Sequence, residues 1–401
     1  MTSRPTTETD FPALQALHRH VGWPERSLAG WRWLHANPAR LSAGAPAGWV
    51  VDGPDGRPAG HVGNLVQRYW LGDQSMHGAT GFSIIVTPPV RGASTEMLGA
   101  CARQPGMFAV WVFNANSRSQ PLYARHGLKA WPEPTHALKL SWILDPVTLA
   151  GGRFYRAAYQ LAPEIVSRWG ERLLNRRLAA KPRLDLPQGV TVLNDFRDQS
   201  RYAAFWAALR AEGRLLADRS PEVLRWRLAD PDLTDPPLVL AFNRGAGITG
   251  YAMAMMAKSN ILEPPVLEIL DLEALADDVT AIPALLEALK DSARRMGAAK
   301  LRIQMVSPRL LDRLGDHVRR ARREGGWGHC HARFAPGGPD PALWSPTPYD
   351  GDYAMCLRPV PVRADAAVRM RRQEGSSQRA QREPQRTRRD GRRVEGGVFS
   401  A

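Results

Sequence analysis

The sequence predicts an α+β fold of two tandem domains, each with a mixed, mostly antiparallel sheet flanked by helices. Three observations lead to this prediction. The chain has 401 residues, which is more than one hydrophobic core usually serves. A short motif occurs twice, and the same order of helix and strand patterns surrounds both copies. In each half, one strand–helix–strand crossover follows a hairpin, which places one parallel pair in an otherwise antiparallel sheet.

The repeated motif reads RWLHANP at 32–38 and RWRLADP at 225–231. In both copies a proline follows the tryptophan by five residues, and Asn37 or Asp230 precedes that proline. Two unrelated domains with a chance match are the alternative. The shared order and spacing of the later elements favour a duplication.

Each half then reads as a hairpin, a strand, a helix and a further strand. The hairpins are apolar runs around a Gly-rich turn, GWVVDGPDGRPAGHVG and PLVLAFNRGAGITGYAM. The next strands are GFSIIV at 81–86 and VLEILDL at 266–272. After a helix, the strands MFAVWVF at 107–113 and KLRIQMV at 300–306 complete the two crossovers.

The predicted domain limits are 1–145 and 189–360, with a basic helical linker at 146–188. Apolar residues recur there at helical spacing, among them Phe154, Leu161 and Trp169, and arginines lie on the opposite face. Such a helix packs between domains or touches an anionic membrane surface, here through 153–178. Packing is the favoured interpretation.

The formal net charge of +15 is partly due to an Arg-rich tail at 361–401, which has almost no large apolar residues and is predicted to be disordered. We interpret the tail as a solubilising extension, and no specific nucleic acid is expected because interleaved aromatics are missing. The N-terminus is polar and the three cysteines are scattered, so neither export, a disulfide framework nor a zinc site is expected. A cytoplasmic setting fits.

One stretch, IIVTPPVRGASTEMLGACARQ at 84–104, breaks a β-type run at two prolines and opens a helix with small residues. A helix N-terminus offers unpaired N–H groups and a partial positive charge, and small residues let an anion approach them. The alternatives are a plain connection and a helix capped by Ser94. A second stretch, NANSRSQPLYARHGLKAW at 114–131, combines an asparagine, a helix and the pattern Y-x-x-x-G-L.

Together with the element order, these stretches resemble the GCN5-related N-acetyltransferase (GNAT, acyl-CoA N-acyltransferase) superfamily, over about 11–142 and 190–359. The resemblance implies acetyl-CoA or another acyl-CoA as co-substrate. It also implies that Tyr123 protonates the departing thiolate. The residues that it places against coenzyme A are Ile85 and Val86 at the strand end, Arg91, Gly92, Ala93, Ser94 and Thr95 in the turn, and Asn116.

Tyr123 has an alternative role, because a tyrosine in this position also packs beneath its helix. A general base is not identified by spacing. The candidates in the first half are His61, His77, His126 and Glu96.

The second half is predicted to be degenerate. Its turn carries Asp277 and Asp278, which would repel a pyrophosphate, and Asp277 is expected to cap the helix that starts near Thr280. Near the end of this half, Asp350 and Asp352 either orient an amine acceptor, ligate calcium or belong to a simple turn. No metal site is predicted.

The sequence thus predicts a GNAT-family enzyme that transfers an acyl group from acyl-CoA to an amine or hydroxyl of a small-molecule, sugar or peptide acceptor. Two alternatives stay open. One is an aminoacyl-tRNA-dependent transferase of the peptidoglycan-bridge type, which the positive charge favours. The other is a non-catalytic scaffold or binding protein of the same fold.

Overall fold

The computed structural model describes residues 2–117, 119–161, 173–178, 182–233, 235–258, 263–325, 328–353 and 355. The predicted tail at 361–401 lies outside these ranges, as does the middle of the predicted linker. The helices are α1 Phe11–His20, α2 Leu28–His35, α3 Pro38–Ala43, α4 Ala93–Ala102, α5 Gln120–Arg125, α6 Pro146–Leu161, α7 Arg201–Ala211, α8 Pro221–Leu228, α9 Ala281–Met296 and α10 Pro308–Leu314. The strands are β1 Arg4–Pro5, β2 Gly48–Asp52, β3 Pro58–Leu71, β4 Gln74–Val86, β5 Met107–Ala115, β6 Lys129–Ala130, β7 Lys139–Ile143, β8 Val190–Val192, β9 Leu215–Ala217, β10 Leu238–Arg244, β11 Gly247–Ala257, β12 Val266–Ala274, β13 Lys300–Ile303, β14 Arg322–Glu324 and β15 His329–Phe334.

These strands form two mixed sheets. Sheet A has the order β1-β2-β3-β4-β5-β15-β6, with β9 also paired to β3, and sheet B has the order β14-β7-β13-β12-β11-β10-β8. Within each sheet one ladder among the described residues is parallel, β4 with β5 and β12 with β13, and the others are antiparallel. The predicted α+β class, with one parallel crossover in each half, is confirmed.

The two halves exchange a strand. β7, from the end of the first half, pairs with β13 in sheet B, and β15 from the second half lies between β5 and β6 in sheet A. Neither sheet is therefore built from one continuous stretch of chain. The predicted domain limits at 145 and 189 stay a prediction, because β7 and β15 each pair with strands on the other side of these limits.

The two copies of the repeated motif meet each other. Trp33 and Trp226 stack with their ring centroids 4.4 Å apart and an interplanar angle of 13°. The indole nitrogen of Trp33 also donates a hydrogen bond of 3.0 Å to the carbonyl oxygen of Trp226. The residues before the prolines differ in their partners: Asn37 caps α3, and Asp230 is paired with the buried Arg26. The repeat thus marks the contact between the halves.

Each sheet has a helix across its parallel pair. α9 buries apolar side chains that recur every three or four residues, including Ile282, Leu285 and Leu289, against sheet B. Burial of one such side chain stabilises a fold by roughly 1.5–3 kcal/mol. α9 ends at Gly297, whose φ of 87° is the left-handed conformation that favours glycine at a helix C-terminus. In the first half α4 occupies the corresponding place on sheet A.

A buried ionic network fastens the halves to the segment near the end of the described chain. Arg219 donates to Asp271 of β12 at 2.7 Å and lies 3.6 Å from Asp350. Asp350 in turn accepts a hydrogen bond of 2.8 Å from the hydroxyl of Tyr69 on β3. Asp350 is 1% exposed and accepts from the backbone N–H of Thr347 in a capping box. Asp350 therefore has a structural role. The expectation that Asp350 orients an acceptor is wrong, because its side chain is buried away from solvent.

Helix α6 covers the start of the predicted linker. Its buried residues are Thr148 and Gly152, and Gly152 lies so close to Pro264 that an added Cβ would stand 2.8 Å from a ring carbon. Phe154 and Leu161, which the sequence pattern places on a packing face, are 70% and 88% exposed. Ile165 and Trp169 lie outside the described residues. In the described part of the chain, no helix has both the length and the apolar character of a membrane span.

Candidate functional site

The parallel strands of sheet A part at one point. β4 and β5 pair from His77 with Met107 to Thr80 with Trp111. Beyond that point, the described residues of β4 pair with β3, and those of β5 pair with β15. The two strands therefore separate towards their carboxyl ends and leave unpaired backbone between them.

The separation coincides with a bulge in β4. Gly63 is opposite Phe82 and His61 is opposite Ile85, so β4 carries one residue more than β3 across this interval. Ser83 lies in the bulge with a φ of 49°, and it is the non-glycine residue with positive φ among the described residues. A bulge bends its strand and turns its backbone away from the regular ladder. GFSIIV gives no signal for this position, and the sequence analysis missed Ser83.

Ile85 and Val86 end the strand, as predicted. Ile85 is 3% exposed and packs in the cluster that includes α1 and α2. Val86 is partly buried against the cluster on the α4 side. Their side chains therefore hold opposite faces of sheet A, and only their backbone groups are placed to line the opening between β4 and β5.

The turn after β4 leads to an open helix N-terminus. Arg91 is exposed, and Gly92 is the N-cap residue with a φ of 96°, which an L-residue with a side chain rarely adopts. No atom lies within 4 Å of the position that a Cβ of Gly92 would take. α4 then begins at Ala93.

No side chain in the described residues caps α4. The expectation that Ser94 caps this helix is wrong, because Gly92 occupies the N-cap position and Ser94 lies inside the first turn. Thr95 bonds back to the carbonyl oxygen of Gly92 at 3.2 Å. The first turn, with Ala93 and Ser94, is thus left to solvent or to an anion.

Tyr123 lies on α5, is 7% exposed and belongs to the core cluster of α4. Burial, followed by the nearby Cys101 and Asp352, raises the pKa of the Tyr123 phenol above its usual range. The Tyr123 ring stacks on His331 at 6.4 Å. This position combines the two roles considered for Tyr123, packing and a protonated phenol.

Asn116 organises the loop before α5. Its side-chain oxygen accepts from the backbone N–H of Ser119 at 3.0 Å, and its carbonyl oxygen accepts from the Ser119 hydroxyl at 3.1 Å. Asparagine favours such local turns. The structure gives Asn116 a part in positioning α5, while its predicted contact with coenzyme A stays a prediction.

Two groups from the second half reach this site. His331 is on the exchanged strand β15, and its Nδ1 is buried without a hydrogen-bond partner among the described residues. Asp352 is partly buried and close enough to act on the pKa of Tyr123. His331 was not predicted as a site residue, because no local pattern singles it out and only the strand exchange brings it to Tyr123.

The candidate bases of the first half are scattered. His61 is 1% exposed at the bulge, and burial, reinforced by His18, lowers its pKa to about 3. His77 shares a hydrogen bond of 2.9 Å with the Ser42 hydroxyl. Burial also lowers the pKa of His126, and Glu96 is exposed. Within the described residues, no ring contact, ion pair or hydrogen bond joins any of these side chains to Tyr123.

The corresponding turn of the second half is filled by its own side chains. Asp278 is 1% exposed and accepts from the hydroxyl of Thr249 and from the backbone and hydroxyl of Thr280. Arg313 donates to the carbonyl oxygens of Ala274, Leu275 and Asp278. The expectation that Asp277 caps this helix is wrong, because Asp277 is exposed and Asp278 makes the bonds to Thr280.

No family model matches the sequence, and the search of curated proteins found no match. Solved structures with a similar fold include a probable N-acyltransferase from Enterococcus faecalis, at 12% identity over 83% of this chain and 73% of that one, with a TM-score of 0.48. A GCN5-related N-acetyltransferase from Anabaena variabilis has 12% identity, covers 83% and 72%, and has a TM-score of 0.48. The N-myristoyltransferase of Saccharomyces cerevisiae has 11% identity, covers 86% and 83%, and has a TM-score of 0.49.

At these identities, and with TM-scores below 0.5, no property of these proteins is carried over to this chain. The features on which the fold assignment rests are those of this chain: the strand order, the duplicated crossover, and the bulged strand that parts from its parallel neighbour before an open helix. The described residues therefore have the α+β architecture of two mixed sheets that the sequence predicts.

Proposed function

We propose that this protein transfers an acyl group from an acyl-CoA to an amine or hydroxyl, and that the first half holds the thioester. The observation that carries the proposal is the path from the opening between β4 and β5 to the uncapped start of α4 beside Arg91. A helix N-terminus with glycine in front of it accepts phosphate oxygens well. The proposal names only the chemical class of the acyl acceptor and of the acyl donor.

In this proposal the pyrophosphate of coenzyme A binds at Arg91, Gly92, Ala93, Ser94 and Thr95, and the pantetheine arm follows the end of β4. A backbone amide near Val86 donates to the thioester oxygen and stabilises the oxyanion that forms on attack. The acceptor forms a bond to the carbonyl carbon and loses a proton, and the carbon–sulfur bond breaks.

Tyr123 then supplies a proton to the sulfur. The high pKa of the Tyr123 phenol keeps it protonated at neutral pH. After the phenol has given its proton to the thiolate, it takes up the proton that the acceptor loses. His331 and Asp352 are the groups that we propose for the acceptor side, because they adjoin Tyr123. A cytoplasmic location is part of the proposal, since the sequence has only three cysteines and these are far apart.

Calorimetry with coenzyme A and acetyl-CoA tests the proposal. Arg91→Glu should weaken binding by about tenfold or more, since charge-assisted hydrogen bonds contribute about 1.5–3 kcal/mol. Arg57→Glu, at an exposed turn between β2 and β3, is the matched control and should bind like the wild type. A wild type that binds neither ligand would refute the proposal.

The aminoacyl-tRNA-dependent transferase is the second candidate, and the formal net charge of +15 favours it. The salt dependence of ligand affinity distinguishes the two candidates. RNA affinity should fall steeply between low and physiological salt, whereas coenzyme A affinity should change less. A protein without thioester turnover on a broad amine panel, but with a stable partner, would instead be the scaffold.

A further inference from the structure

A second candidate binding site lies on sheet B, on the face away from α9. It is a cleft of about 660 Å³, which is within the size range of small-molecule sites. Strands β7, β13 and β14 form its floor, and α6 forms one wall. We call it the arginine cleft, after its six basic lining residues, Arg153, Arg156, Lys300, Arg302, Arg322 and Arg323.

The floor of the arginine cleft is electrically balanced. Lys300 and the hydroxyl of Ser141 both donate to Glu324, at 2.8 and 2.7 Å. Burial would raise the pKa of Glu324, but these hydrogen bonds outweigh it and hold the pKa below its usual value. Glu324 therefore stays ionised and paired. Arg302 is bound in the same way to Glu268, at 2.8 Å.

The walls carry the excess charge. Arg156 is paired with Glu263. Arg153 on α6 and Arg322 and Arg323 on β14 are exposed, and within the described ranges their side chains have no ion pair or hydrogen bond. Three guanidinium groups thus face the cleft from two sides with no carboxylate of their own.

Guanidinium groups on opposite walls fit a ligand with at least two negative charges, and their planar forks match phosphate oxygens. The lining also offers apolar surface at Ile143, Leu149, Pro264 and Val266 for an uncharged portion. It contains no aromatic side chain on which bases would stack, which disfavours single-stranded nucleic acid. We propose that the arginine cleft binds a phosphorylated small molecule, independently of the proposed coenzyme A site.

Titration of inorganic pyrophosphate by calorimetry tests this proposal. All proteins carry Arg91→Glu, so that the turn before α4 does not contribute. Arg322→Ala combined with Arg323→Ala should weaken pyrophosphate binding by about tenfold or more, and Arg153→Glu should do the same. Arg57→Ala, remote from the cleft, is the control and should leave binding unchanged. Because these side chains are exposed, circular dichroism should show an unaltered fold.

Four results would overturn the proposal. They are no pyrophosphate binding in the Arg91→Glu protein, equal losses in the cleft variants and in Arg57→Ala, citrate binding as tight as pyrophosphate, and a single-stranded RNA that binds more tightly than pyrophosphate and depends on the same arginines. Citrate would point to a carboxylate ligand, and RNA would point to a polyanion surface.

Discussion

In the first half the chain passes from β4 to α4 through Arg91 and Gly92, with open space beside the glycine and no capping side chain. In the second half it passes from β12 to α9 through Asp277 and Asp278, and the turn is closed by Asp278 and Arg313. The backbone connection is the same in both: a strand, a turn and a helix that returns to a parallel neighbour.

The two turns differ in which side chains form hydrogen bonds with the backbone. In the second half Asp278 accepts from Thr280 ahead of α9 and Arg313 donates to three carbonyl oxygens of the turn, so these side chains fill the turn although none caps α9. The first half leaves the donors at the start of α4 without a side-chain partner, which is the condition for binding an external anion. The same strand–turn–helix connection thus gives one open turn and one closed turn, and a few side chains make the difference.

Arg219→Ala would break the frame that the two halves share. It leaves the buried Asp271 and Asp350 without their common cation, and the free energy of unfolding should fall by about 3–5 kcal/mol. The loss should appear as one cooperative transition in urea, followed by tryptophan fluorescence and by circular dichroism. Arg197→Ala, at an exposed pair with Asp195, should change stability little. Separate transitions would show that the halves unfold independently.

Tyr123→Phe would sharpen the functional side of the comparison. If the first half carries the chemistry, loss of the phenol should lower kcat by about a hundredfold, within the range of general acid catalysis. Coenzyme A affinity should be unchanged, because the ring and its packing remain. A variant with wild-type kcat would assign Tyr123 to packing alone.

Asp278→Ala would open the closed turn. Loss of its hydrogen bonds to Thr249 and Thr280 should lower the free energy of unfolding by about 1–2 kcal/mol and leave coenzyme A binding intact.

The effect of Asp278 should depend on pH. Burial would raise the pKa of Asp278, but the bonds from Thr280 and Thr249 outweigh it, so the pKa lies below its usual value. A carboxylate with a depressed pKa stabilises the fold above the unfolded-state pKa of about 3.9, and this contribution is lost as the pH falls through the folded-state pKa. The difference between wild type and Asp278→Ala in urea unfolding should therefore shrink below about pH 4. A constant difference at all pH values would contradict this.

The smallest expected effect concerns the contact between the repeats. A double-mutant cycle of Trp33→Ala and Trp226→Ala should give a coupling energy of about 0.5–1.5 kcal/mol, as expected for stacked aromatic pairs. Trp33→Ala combined with the distant Trp142→Ala provides the control and should be additive. Additivity of Trp33 and Trp226 would mean that their stacking does not join the halves.

The sequence by itself determined the elements and their order. Apolar periodicity and turn residues are local, so the hairpins, the two crossovers and α4 were predicted close to their observed places. The strand end at Val86 and the loss of the turn chemistry at Asp277 and Asp278 were also visible in the sequence, although the bonds to Thr280 are made by Asp278 and not by Asp277.

Only the tertiary structure decided where strands join and which side chains meet. β7 and β15 carry the pattern of any half-buried strand, and nothing in their residues says that each belongs to the other half's sheet. The meeting of His331 with Tyr123, the bulge at Ser83 and the sealing of Asp350 all depend on that choice. The physical reason is that side-chain patterns fix which face of a strand is buried, whereas its neighbour is selected by packing over the whole molecule.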